Sequence, residues 1–125
     1  MLFLAKDEVL VLHQRLIDAF GGIEGLRDEA GLESALSAPQ QRAHYEQADL
    51  VVCAATYAYH LTKAHAFLDG NKRVAAAATE LFLGLNDARL TATNHEIIKL
   101  FLAIAAGAYT REDVEGLLDG WVILQ

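Results

Sequence analysis

The chain has 125 residues, 54% of them hydrophobic, with 10 Lys and Arg against 17 Asp and Glu for a formal net charge of −7. That much apolar material excludes a disordered chain, the length suits one domain over residues 1–125, and the negative charge argues against direct DNA or RNA binding. The lone Cys53 allows no internal disulfide, Met1–Glu8 lacks a signal peptide's basic start, and no window approaches about 18 uncharged apolar residues, so a cytoplasmic protein without membrane contact is expected.

The apolar spacing predicts helices almost throughout. Val9, Leu12, Leu16 and Phe20, with Ile17 beside them, form one face of a helix from Asp7 to Phe20, stopped by Gly21-Gly22. A loop follows from Ile23 to Asp28, then a short helix from about Glu29 to Ala38 that ends at Pro39, the only proline. Pro39 to Asp49 carries Gln41, Arg42, His44 and Tyr45 without a clear period and reads as an exposed flap, where a target segment could add by backbone pairing. Leu50–Ala64 and Asn71–Leu85 are rich in small apolar residues and form the expected centre of the bundle. Arg89–Thr93 and the first few residues suit short extended segments, and Asn94 suits the cap of a helix from His95 to about Ala108. Thr110 with Asp113 resembles a capping box opening a last helix to about Leu124. The fold expectation is all-α, a compact bundle of about six helices. Cys53 and His60, each on an apolar helix, read as core residues, and His13, His44, His60 and His95 show no metal-ligand spacing.

The chemistry is concentrated between His65 and Arg73. Here a glycine-containing loop enters a helix whose first residues are Asn71, Lys72 and Arg73. A helix start carries unpaired N–H groups and partial positive charge, so two adjacent cations there are in local conflict, and a phosphate would relieve it. Gly70 lets the backbone approach such an anion closely. Asp69, at the edge of this cradle, is of the type that ligates Mg²⁺ beside phosphates. His65 is the side chain able to accept a proton near neutral pH, and Phe67 is most simply a core anchor for the loop. Taken singly, each of these residues has a bland structural explanation: a core histidine, a helix cap, a solvated Lys-Arg pair. Their order and spacing together point to nucleotide chemistry.

The run His65-x-Phe67-x-Asp69-Gly70-Asn71-Lys72-Arg73 resembles the signature of the Fic/Doc family, and its Lys72 matches the Doc-type toxins. The resemblance extends upstream through Gly21-Gly22-x-x-Gly25-Leu26-Arg27-Asp28 and Gly31–Leu36 to Pro39. Fic adenylyltransferases have glycine at the position of Lys72 and a second arginine at that of Ala76, so both positions favour the Doc branch; Gly70, where Doc has alanine, leans to Fic. The resemblance implies a toxin of a toxin–antitoxin pair that moves the γ-phosphate of ATP, with Mg²⁺, onto a Ser or Thr hydroxyl. It also implies a target resembling elongation factor Tu and a Phd-like antitoxin acting in trans, since no stretch matches the family's inhibitory-helix pattern. His65 would then be the base, Gly70, Asn71, Lys72 and Arg73 the phosphate site, and Asp69 the metal ligand. The alternatives are AMP transfer to a protein hydroxyl and a non-catalytic helical binding module.

Overall fold

The structure, a computed structural model, describes residues 1–125 as six helices and a two-stranded sheet. In chain order these are α1 (Lys6–Phe20), α2 (Glu29–Tyr45), α3 (Leu50–Ala64), α4 (Asn71–Leu85), β1 (Ala88–Leu90), α5 (Asn94–Ala105), α6 (Arg111–Trp121) and β2 (Val122–Leu124). The all-α bundle expected from the apolar spacing is therefore present. No helix is long and apolar enough to cross a membrane.

Helix α3 is the axis, packed against α2, α4, α5 and α6. Its Ala54, Ala55 and Ala58, with Ala75 and Ala78 of α4, are fully buried, because small side chains let two backbones approach closely. Larger groups fill the space beyond. Tyr57 is wholly buried against Phe82 at 4.8 Å between ring centroids, and Phe3 stacks on the same ring at 5.9 Å. The Tyr57 hydroxyl accepts from the Leu4 N–H at 3.0 Å, tying the extended amino terminus to the core, and burial pushes its pKa to about 12. Cys53 is buried as expected, its thiol pushed up to about 11 by desolvation, which makes it a poor nucleophile.

Several sequence expectations require correction. Helix α2 does not stop at Ala38 but runs through Pro39 to Tyr45. Leu32, Ala35, Leu36 and Pro39 form one buried stripe against α3, and that packing offsets the roughly 3 kcal/mol penalty of a proline inside a helix. The expected flap is thus mostly helical, its backbone groups committed within α2, and only Glu46–Asp49 separates it from α3. The buried face of α1 is Val9, His13 and Ile17, while Leu12 and Leu16 are half-buried and Phe20 is 66% exposed. The cap of α5 is Thr93 rather than Asn94: Glu96 N–H donates to the Thr93 hydroxyl at 3.1 Å, and the Glu96 carboxylate accepts from Thr93 N–H at 2.9 Å. Finally, α6 opens at the Thr110/Asp113 box as expected but ends at Trp121. Residues 122–124 leave the helix and pair antiparallel with β1, Arg89 opposite Ile123.

Candidate active site

The loop His65–Gly70 joins the two central helices and is braced from three sides. His65 closes α3 in the left-handed conformation (φ 49°, ψ 46°), which costs a non-glycine residue on the order of 1–2 kcal/mol unless its surroundings hold it. The holding group is Arg27, whose Nε and Nη2 donate to the His65 carbonyl at 3.1 and 2.5 Å. The neighbouring backbone continues the brace. Arg27 and Asp28 N–H groups donate to the Ala66 carbonyl at 2.7 and 2.9 Å, and Leu68 N–H donates to the Gly25 carbonyl at 3.0 Å. Leu26 and Phe67 thereby form an isolated antiparallel bridge.

From α1, His13 supplies the second brace. It is buried at 4% exposure, stacks on Phe67 at 3.8 Å with 12° between the ring planes, and lies 2.8 Å through Nε2 from the Asp69 carbonyl. A carbonyl can only accept, so Nε2 carries a proton. Phe67 itself is 3% exposed and seats the loop in the core.

The third brace is Asn71, the first residue of α4. Its side chain is buried and folds back over the loop: Oδ1 accepts from Phe67 N–H at 2.9 Å, and Nδ2 donates to the Phe67 carbonyl at 2.9 Å. The same Nδ2 lies 3.3 Å from Nδ1 of His65. Because Nδ2 is a donor, Nδ1 faces it with a lone pair, which leaves the ring proton on Nε2. The Asn71 side chain thus serves the loop and the histidine, and its backbone N–H is what remains for a ligand at the helix start.

Asp69 is exposed, and its carboxylate accepts from Ile23 N–H at 3.1 Å and from Gly70 N–H at 2.8 Å. Those two bonds, then the nearby Arg73, hold its pKa below the usual carboxylate range. The tight approach depends on Gly22 (φ +122°): a Cβ there would sit 2.6 Å from Asp69 Oδ2 and 3.0 Å from Ile17 Cδ1. Gly22→Ala is therefore expected to destabilise the protein by about 1–3 kcal/mol, through left-handed strain and displacement of Asp69. Gly84→Ala and Gly116→Ala, in helices with no atom near the new methyl, should be neutral or slightly stabilising. Thermal melting of the three variants checks this, and equal melting temperatures would show that the Gly22 contact has no energetic weight.

Gly70, with φ +74°, caps α4 without any side-chain acceptor, so the first-turn N–H groups are uncapped. Lys72 and Arg73 are exposed and belong to no ion pair. The Arg73 guanidinium rests 4.7 Å over the exposed Phe20 ring. A groove of about 500 Å³ runs from Asp69–Arg73 past Ala76 to a wall of Ile97, Ile98, Phe101 and Leu102 on α5. One end is a cationic, anion-seeking helix start and the other is apolar, a combination that suits a nucleotide's phosphates and base. No three His, Cys, Asp or Glu side chains gather to hold a metal by themselves. The lone Asp69 carboxylate, with a lone pair free on each oxygen, fits Mg²⁺ that takes its remaining ligands from phosphates and water.

The contiguous residues 65–73 were visible in the sequence; His13, Arg27, Gly22 and Ile23 as supports were not. The available signals are a histidine at the buried position between Val9 and Ile17, and the loop Gly21–Asp28, which carries part of the family resemblance without showing which of its residues touch the motif. Two comparisons with known proteins bear on the family of this chain. Residues 3–83 match the model of the Fic/DOC family. The chain is also 30% identical over 119 residues to the protein kinase Doc of Escherichia phage P1, covering 94% of each chain.

Proposed function

This chain belongs to the Fic/DOC family, and from that membership we propose that it is a Doc-like toxin, a transferase that moves the γ-phosphate of ATP to a Ser or Thr hydroxyl of a target protein. The single observation that carries the reading is the uncapped start of α4, bearing Lys72 and Arg73, joined to His65 through Asn71. The Asn71, Lys72 and Arg73 N–H groups, the two side-chain cations and the close-approaching Gly70 backbone hold the phosphates. Mg²⁺ held by Asp69 and those phosphates would neutralise charge on the transferring and leaving groups.

The Nδ1 lone pair of His65 takes the hydroxyl proton, the substrate hydroxyl replacing the long 3.3 Å contact to Asn71. The hydroxyl oxygen forms a bond to the γ-phosphorus as the bond to the β–γ bridging oxygen breaks, and the nucleoside diphosphate leaves with those electrons. Such a transfer needs mainly positioning and charge neutralisation, which these groups supply without a covalent enzyme intermediate. The target resembling elongation factor Tu, a short Phd-like antitoxin in trans and a cytoplasmic setting with no nucleic-acid contact complete the proposal.

The test is transfer of label from ATP to the elongation factor by the purified chain with Mg²⁺. Label from the γ-position with a mass increase of one phosphate supports the proposal. Label from the α-position identifies adenylyl transfer instead, which Gly70 would accommodate equally well. No label from either position, with growth arrest retained on expression, would leave a binding module.

A further inference from the structure

A second pocket lies away from the α4 groove, between α2, α3 and the start of α6. It encloses about 490 Å³ and is lined mainly by polar groups, among them Ser34, Gln41, Arg42, Glu46, His60 and Arg111. His60 is half-buried here at the pocket wall rather than in the core.

The cations of this pocket are unequally matched. Arg42 is neutralised: Nη1 donates to Glu115 and, at 2.9 Å, to the Thr56 hydroxyl, while Nε lies 3.4 Å from Glu46. Arg111 has no carboxylate within ion-pair distance. Its Nη1 is instead 3.5 Å from His60 Nε2, a long contact to a neutral ring. Burial, then Arg111 and Arg42, push the His60 pKa down, so the pocket's field opposes a further positive charge. Arg111 is also the first residue of α6, where the helix dipole disfavours a cation. Glu112 and Asp113 follow it, but Asp113 is committed to the Thr110 cap. The Ser34 hydroxyl and the Gln41 amide make no hydrogen bond within the protein and add donors to the same space. A half-buried cation without an ion-pair partner, beside a histidine able to gain a proton and two free donors, forms the complement of an oxyanion.

We propose that this pocket is an oxyanion-binding site, separate from the α4 helix start, that receives a phosphate or carboxylate group through Arg111 and His60. On binding, the oxyanion accepts from the Arg111 guanidinium and from His60, which takes up a proton as its counter-charge arrives. The site shares no residue with the α4 groove and does not depend on the activity assigned to His65. The anion is either free in solution or carried on a protein partner, and the exposed Tyr45 ring at the rim suits the latter.

The test is an NMR titration of the full chain, following the His60 ring and the Arg111 Nε–H, with Gly70 and Arg73 amides reporting the α4 groove. Two probes are used: inorganic phosphate, and a short phosphoserine peptide with neutral flanks. Saturable shifts at His60 and Arg111 are expected with at least one probe. Arg111→Gln should weaken that binding roughly ten-fold, as loss of one charge-assisted pair, while the groove amides titrate as in the parent. His60→Leu provides a second variant with the same expected weakening. Tighter binding of the peptide points to a protein-borne group, and equal binding to a free anion. Absence of saturable shifts with both probes, or unchanged affinity in both variants, overturns the proposal.

Discussion

Replacing His65 with alanine should lower phosphoryl transfer by about 10²–10⁴-fold, the range lost when a general base is removed. Nucleotide affinity should hardly change, because the phosphates are assigned to the α4 start and not to the imidazole. Stability should change little as well. The His65 side chain is exposed, and the Arg27 contacts that fix this residue go to its carbonyl, which alanine retains. The expected pattern is therefore a fall in kcat with near-constant nucleotide binding and a melting temperature close to the parent's. Growth arrest on expression should disappear with the activity. Transfer at the parent rate by a folded His65→Ala protein would remove His65 from the mechanism.

Asn71→Ala should be the most damaging single change near the site, affecting stability and activity together. Its amide pairs both backbone groups of Phe67 in a buried setting, and truncation leaves an N–H and a carbonyl without partners. Each such orphan costs about 1–3 kcal/mol, so a loss of about 2–6 kcal/mol is expected. Melting should fall by about 3–5 °C for each kcal/mol lost in a domain of this size. Asn71→Asp should not rescue the protein. It keeps an acceptor for Phe67 N–H but sets a carboxylate against the Phe67 carbonyl and removes the donor facing His65. Activity separates two roles for the His65 contact. If Asn71 positions the loop and the ring, transfer falls below what lost folding explains; if it merely blocks Nδ1, folded Asn71→Ala protein transfers faster than the parent. The second outcome would refute the positioning role.

Where the sequence and the structure part, the division follows the range of the interactions. The helix start at Asn71, the capping box at Thr110 and the small-residue helices α3 and α4 depend on neighbours within a few positions, so spacing alone exposes them. The stretch His65–Arg73 was legible for the same reason: loop, glycine, uncapped helix start and two cations are contiguous. Pro39 shows the opposite case. A local rule ends the helix there, but burial of the Leu32–Pro39 stripe on α3 outweighs it. Residues 122–124 likewise leave the last helix for β1, a partner more than 30 positions earlier.

The sequence by itself thus determined the helical class, the family and the one segment whose residue types suit nucleotide chemistry. Only the tertiary structure decided that His13 and Arg27, 56 and 38 positions from their partners, hold that segment, and that the Asn71 amide turns inward. It likewise brought Arg111 beside His60, 51 positions away. Those arrangements are products of packing, which sets distant side chains side by side without leaving a periodic trace along the chain.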